Sequence, residues 1–154
     1  MNRRQTLLAL ALMPLMANAA GNHGGGHQAA TGTGGDPAQV DRTIEVTMSD
    51  RMRFEPDHVR VTAGQTVRFA VTNTGERPHE MVIGSLEALK EHARQMRRQP
   101  DMAHDESSMI RLAGGESGSL VWRFEEPGRV DFACLIPGHL EAGMKGTIDV
   151  RTPD

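Results

Sequence analysis

From Arg42 onward, apolar and polar positions alternate in short bursts separated by turn-forming residues. Ile44, Val46 and Met48 share one face, Val59 and Val61 repeat the pattern before Ala63-Gly64, and Val67, Phe69 and Val71 carry it to the turn Asn73-Thr74-Gly75. A two-residue period places successive side chains on opposite faces of an extended chain, so each burst predicts a half-buried strand. The apolar run His79 to Ile83 ends at Gly84, and Leu120, Trp122 and Phe124 restart the alternation up to Glu126-Pro127-Gly128. Val130, Phe132 and Cys134 then share a face, and Ile148 with Val150 marks a last strand, Lys145 to Val150. About seven or eight strands at this spacing predict an all-β sandwich in a single domain.

One stretch breaks the period. Leu86, Leu89, His92, Ala93 and Met96 recur at helical spacing, Ser85 is placed to cap the first turn, and Pro100 closes the pattern. A short helical insertion is therefore expected over residues 85–99. Residues 101–109 read as loop, Leu112-Ala113 leads into the turn at Gly114-Gly115, and no internal repeat is visible.

The first residues belong to a different class of sequence. Arg3 and Arg4 precede the apolar run Leu7 to Met16, followed by Ala17-Asn18-Ala19, the layout of a cleaved secretory signal over residues 1–19. That run is half the length of about twenty residues a membrane-spanning helix needs, so no retained membrane anchor is expected. Export to the periplasm is expected instead. Residues 20–41 are dominated by Gly, Ala, Thr and Gln with His23 and His27, a flexible tether that cannot bury a core, which leaves residues 42–154 as the folded domain.

Charge narrows the partners. Removing residues 1–19 takes away two basic side chains and no acidic one, moving the formal charge from −3 to −5. The chain has no Tyr, one Trp and scattered Arg, with no basic stripe interleaved with aromatics, so nucleic acid is not an expected partner.

The single cysteine is the chemical anomaly, because an oxidising compartment usually pairs thiols and Cys134 has no internal partner. Its neighbours explain it. Cys134-Leu-Ile-Pro-Gly-His139-Leu-Glu-Ala-Gly-Met144 sets a thiolate, an imidazole and a thioether at two intervals of five. Soft sulfur favours Cu(I), imidazole accepts either oxidation state, and a plane of two His and one Cys with a weak axial Met is an electron-transfer geometry. Pro137-Gly138 turns the chain after the strand, and Gly143 frees the backbone ahead of Met144. A second imidazole should come from a distant strand. His79 follows Arg77-Pro78 and opens an apolar run, which ranks it ahead of His58, out of phase with Val59 and Val61, and of His92 and His104 in the insertion.

With those residues in view, the chain resembles a cupredoxin, a relative of plastocyanin, azurin and rusticyanin, and within that group the small exported cupredoxins associated with copper resistance. The resemblance covers roughly residues 42–151 and is carried by Phe132-Ala-Cys134-Leu-Ile-Pro-Gly-His139-Leu-Glu-Ala-Gly-Met144-Lys-Gly146 and by His79-Glu-Met-Val. It implies a Greek-key β-sandwich, one type 1 copper centre held by His79, Cys134, His139 and Met144, and one-electron transfer. There is one departure. Many cupredoxins follow the first ligand His with an Asn that ties the two ligand loops together, and Glu80 stands in that place here, which leaves the hydrogen bonding around the Cys134 sulfur open.

Two functional classes follow. One is an electron carrier, with His139 framed by Leu135, Ile136, Pro137, Leu140 and Ala142 as an apolar docking ring for a c-type cytochrome or a copper oxidase. The other is a copper-tolerance, buffering or delivery protein that meets other copper-handling proteins. Met96, Met102, His104 and Met109 lie in the polar insertion, where thioether and imidazole suit a secondary copper site. A copper enzyme needs further metal ions and domains, so a monomeric, non-enzymatic protein is expected.

Overall fold

A computed structural model of the protein describes residues 32–98 and 106–154. Its elements in chain order are β1 (Gly32–Gly34), β2 (Arg42–Ser49), β3 (Arg53–Glu55), β4 (His58–Thr62), β5 (Thr66–Asn73), β6 (His79–Gly84), α1 (Leu86–Arg98), a 3-10 turn (Glu106–Ser108), β7 (Met109–Leu112), β8 (Ser117–Phe124), β9 (Gly128–Ala133) and β10 (Lys145–Arg151). They form two five-stranded sheets, ordered β1-β8-β5-β2-β3 and β4-β10-β9-β6-β7. The pairs β2–β5 and β4–β10 are parallel and the rest antiparallel. A hairpin cannot join parallel neighbours, so the chain crosses repeatedly between the sheets, as a Greek-key sandwich requires.

The alternating positions fill the space between the sheets. Ile44, Val46 and Met48 from β2, Val67, Phe69 and Val71 from β5, and Leu120, Trp122 and Phe124 from β8 meet Val59, Val61, Met81, Ile83, Val130, Phe132, Ile148 and Val150 in one core. Phe54 packs edge-on against Phe132 with ring centroids 5.0 Å apart, and Phe69 against Phe124 at 6.3 Å. Such tilted pairs add to the gain from burial. All six residues of β6 are buried, because its outer face is covered by α1. Val82, Leu89, Ala93, Ala133 and Leu135 form a second apolar cluster there. The helix starts as its sequence predicts: Ser85 Oγ accepts the Ala88 N–H at 3.1 Å, a cap that satisfies one orphan donor of the first turn.

Ten strands are present among the described residues, against the seven or eight expected. The additions are short and lack a readable period. β3 sends only Phe54 inward, and β7 is a four-residue segment paired with β6 where the sequence reads as loop and turn lead-in. β1 lies inside the stretch read as tether, so the sandwich begins ahead of residue 42. Its glycines serve close approach rather than freedom: a Cβ on Gly32 would lie 2.2 Å from the Arg123 carbonyl oxygen and 2.4 Å from Trp122 Nε1. The signal segment 1–19 and the tether up to residue 31 lie outside the described residues.

Candidate metal centre

His79 opens β6 after a loop that is held by polar bonds from two directions. On one side is Asn73, fully buried at the end of β5. Its Nδ2 donates to the carbonyl oxygens of Arg77 (2.7 Å), Ala113 (3.1 Å) and Leu112 (3.2 Å), and its Oδ1 accepts the Gly75 N–H (3.0 Å). On the other side is Asp50, in the turn between β2 and β3. Asp50 Oδ2 accepts the Glu76 N–H at 2.9 Å, Oδ1 accepts the Arg77 N–H at 3.3 Å, and Oδ1 also lies 3.0 Å from His79 Nε2. Gly75 makes room for that carboxylate, since a Cβ there would lie 2.2 Å from Asp50 Oδ1.

The loop from Cys134 to Met144 folds on itself through its own backbone. The Cys134 N–H donates to the Met144 carbonyl (3.1 Å), the Met144 N–H to the His139 carbonyl (3.0 Å) and the His139 N–H to the Ile136 carbonyl (3.0 Å). Gly138 and Gly143 sit at φ +90° and +96°, left-handed backbone that a side chain disfavours. The turn residues thus do what Pro137-Gly138 and Gly143 predict. They close the loop so that the Met144 backbone returns to Cys134 and the His139 ring comes to the Cys134 sulfur.

The two loops meet at that place. His139 Nδ1 lies 3.2 Å from His79 Nδ1 and 3.3 Å from Cys134 Sγ. The ligand atoms of His79, Cys134 and His139 all fall within 4.8 Å of one another. His79, Cys134 and Met144 are fully buried, whereas part of His139 reaches the surface. Two imidazole nitrogens and one sulfur converging in a buried pocket fit a soft or borderline metal ion.

The pattern "copper binding proteins, plastocyanin/azurin family" matches residues 40–151. The chain belongs to this family. The cupredoxin is 44% identical to the copper-resistant cuproprotein CopI of Rubrivivax gelatinosus, over 96% of each chain. It is 30% identical to the CopI of Pseudomonas aeruginosa, over 97% of this chain and 98% of that one. Among solved structures it superposes on auracyanin B, a protein of Chloroflexus aurantiacus, with a TM-score of 0.63 and 26% identity, covering 79% of this chain and 95% of the other.

Electrostatics at the cupredoxin site disfavour charge on the Cys134 thiol and on the His139 imidazole. Burial pushes the Cys134 thiol up from 9.0 to about 11, against the opposing pull of backbone N–H groups of Glu80 and Ile136. The His139 imidazole is held below its ordinary value, first by burial and then by the charges of His79 and Arg77. Asp50 is held below the usual carboxylate range by the Glu76 N–H and then by His79. A metal must displace the thiol proton to bind, so loading releases it.

Glu80 resolves the departure noted in the sequence. Its backbone N–H donates to Cys134 Sγ at 3.4 Å, so the sulfur has a donor whatever side chain residue 80 carries. The carboxylate, 2% exposed, turns away to Arg111 on the neighbouring strand β7, with Nη1–Oε1 at 2.9 Å. The Glu80 side chain therefore ties β6 to β7 and not one ligand loop to the other.

The remaining sequence candidates separate. Met96 is buried on α1, and Met109 opens β7 packed against the cluster beneath that helix, both in packing positions. Met102 and His104 lie outside the described residues. His58 sits on the exposed side of β4, its Nε2 3.3 Å from Asp149 Oδ2. Leu135, expected in the apolar ring around His139, is 2% exposed and packs under α1 instead, because alternation after β9 turns it to the helix side. Ile136, Pro137, Leu140 and Ala142 keep some or all of their exposure. Asn73, Asp50 and Arg111 carry no local signal beyond turn or surface composition.

Proposed function

We propose that the protein is an exported, periplasmic type 1 copper protein that serves copper tolerance and exchanges single electrons, and that His79, Cys134, His139 and Met144 would hold its one copper ion. The observation that carries this reading is the convergence of one ring nitrogen from each of His79 and His139 and the Cys134 Sγ within 4.8 Å inside the sandwich. Bound copper would supply the Cu(I)/Cu(II) couple. The chain supplies the rest. Strands β6, β9 and β10 hold both loops, so the donors keep nearly one arrangement in either oxidation state, which lowers the cost of reorganisation. Burial keeps water from the thiolate.

His139 is the only one of the four with part of its side chain at the surface, amid Ile136, Pro137, Leu140 and Ala142. That edge suits brief docking of a monomeric carrier on a c-type cytochrome, a copper oxidase or another copper-handling protein. The name shared by the CopI relatives supports a role in copper tolerance. No substrate turnover is proposed.

Titration of Cu(II) into the purified mature protein should produce an intense thiolate-to-copper band in the visible that saturates at one ion per chain. Absence of the band, or its persistence in Cys134→Ser, overturns the site. A deletion strain should grow poorly in excess copper, and stopped-flow mixing with an oxidised c-type cytochrome should oxidise the Cu(I) protein. Sensitivity without that oxidation reduces the role to buffering or delivery.

A further inference from the structure

We propose that Asp50 is a positioning residue of the copper centre: its carboxylate fixes the His79 ring with Nδ1 toward the metal, and the β2–β3 turn that carries it links the two ligand loops. The inference rests on the copper reading above, and concerns residues that contribute no donor atom.

A fully buried imidazole has two nitrogens to satisfy, and those of His79 are divided between the donor cluster and Asp50. An ionised carboxylate only accepts hydrogen bonds, so the proton belongs on Nε2 and the Nδ1 lone pair is left for the metal. The same carboxylate accepts the N–H groups of Glu76 and Arg77, so it orients the backbone that delivers the ring as well as the ring.

The turn is anchored to the other loop too. Three residues on, Arg53 Nη1 donates to the Ala142 carbonyl at 3.0 Å, two residues ahead of Met144, and to the Met52 carbonyl at 2.7 Å. Its guanidinium occupies the space beside Gly143, where a Cβ would meet Nη1 at 3.1 Å. The turn has a defined shape: Met52 sits at φ +58° and its N–H donates to the Ser49 carbonyl at 3.0 Å. The Glu80 side chain does not bridge the loops, and Asp50 with Arg53 does.

A carboxylate one hydrogen bond from a ligand ring also makes that ring a stronger donor and adds negative charge near the ion, which favours Cu(II) over Cu(I). The Asp50 side chain is 36% exposed, so solvent screens part of this effect.

The test uses the full mature chain with Asp50→Asn and Asp50→Glu. Asp50→Asn should lower Cu(II) affinity by roughly 10- to 100-fold, in the range seen when such outer partners of metal-bound His are removed. Cu(I) affinity should fall less, and each tenfold change in their ratio raises the reduction potential by about 59 mV. Asp50→Glu, which keeps the charge, should recover part of the loss. Nitrogen-15 NMR of the apo wild type should show the His79 proton on Nε2.

A wild type without the thiolate-to-copper band sinks the copper reading itself. A wild type with the band, but with the His79 proton on Nδ1, overturns the role of Asp50. So does an unchanged Cu(II)-to-Cu(I) affinity ratio in Asp50→Asn. Should Asp50→Asn fail to fold, the wild-type tautomer and the potential of Asp50→Glu decide the matter, and a potential shifted as far as that of Asp50→Ala rules against a charge-based role.

Discussion

Asn73→Ala tests how the protein holds a ligand loop without a regular element. The Asn73 amide carries two N–H groups shared among three carbonyl oxygens and accepts one N–H, so its loss removes the equivalent of three hydrogen bonds. Each nets about 1 kcal/mol in a folded protein, and carbonyls left dry in a fully buried position cost more. Water entering the small void returns some of this. The expected destabilisation of the apo protein is about 3 kcal/mol, a large share of the roughly 5–15 kcal/mol that holds a typical domain together. Urea unfolding followed by Trp122 fluorescence measures it, provided the m value is unchanged. Asn73→Asp separates donor from acceptor: it still accepts the Gly75 N–H but sets a carboxylate against three carbonyl oxygens, and should be at least as unstable as the Ala variant. Cu(II) affinity should fall in both, since the freed loop carries His79. A change below about 0.5 kcal/mol, or an Asp variant more stable than the Ala variant, refutes the assignment.

Stability of the apo protein should depend on pH in two windows. Unfolded Cys134 ionises near 9.0 while the native thiol keeps its proton to about 11, so the unfolded state binds fewer protons and stability falls as pH rises between them. The difference amounts to about 3 kcal/mol. Cys134→Ser should flatten that part of the profile, and an identical slope in the variant counts against the buried thiol. In acid the sign reverses: His139 resists protonation in the fold, so stability is lost as pH falls below 6.5, and His139→Gln should lessen the loss; equal slopes in the two proteins exclude the effect. Gly146→Ala would set a Cβ 2.1 Å from Phe132 Cζ and 2.7 Å from the Asp57 carbonyl oxygen. The ring is packed against Phe54 and the carbonyl is backbone, so the variant should lose about 3 kcal/mol, seen as a fall in Tm of about 10 °C. An unchanged melting curve shows that β10 can yield there.

Much of the fold was legible because its signals are local. The two-residue period of β2, β5 and β8 is a property of a few consecutive side chains, and so is the helical spacing of Leu89, Ala93 and Met96. The loop from Cys134 to Met144 was legible for a related reason: its potential ligands lie within eleven residues, and Gly138 and Gly143 mark where the backbone must turn. The short strands β1, β3 and β7 were not legible. Their existence depends on a partner edge and not on their own period, and at β1 glycine signals contact where composition alone suggests freedom.

The sequence by itself determined the chemistry available: one thiol, a nearby imidazole and thioether, and a distant imidazole opening a buried strand. Tertiary structure decided which polar groups stand behind those donors. Asp50 lies 29 residues from His79, Arg53 lies 89 from Ala142, and Asn73 lies about 40 from two of the carbonyls it serves. Hydrogen bonds act over about 3 Å in space and carry no period along the chain, so only the closure of the two sheets brings such partners together.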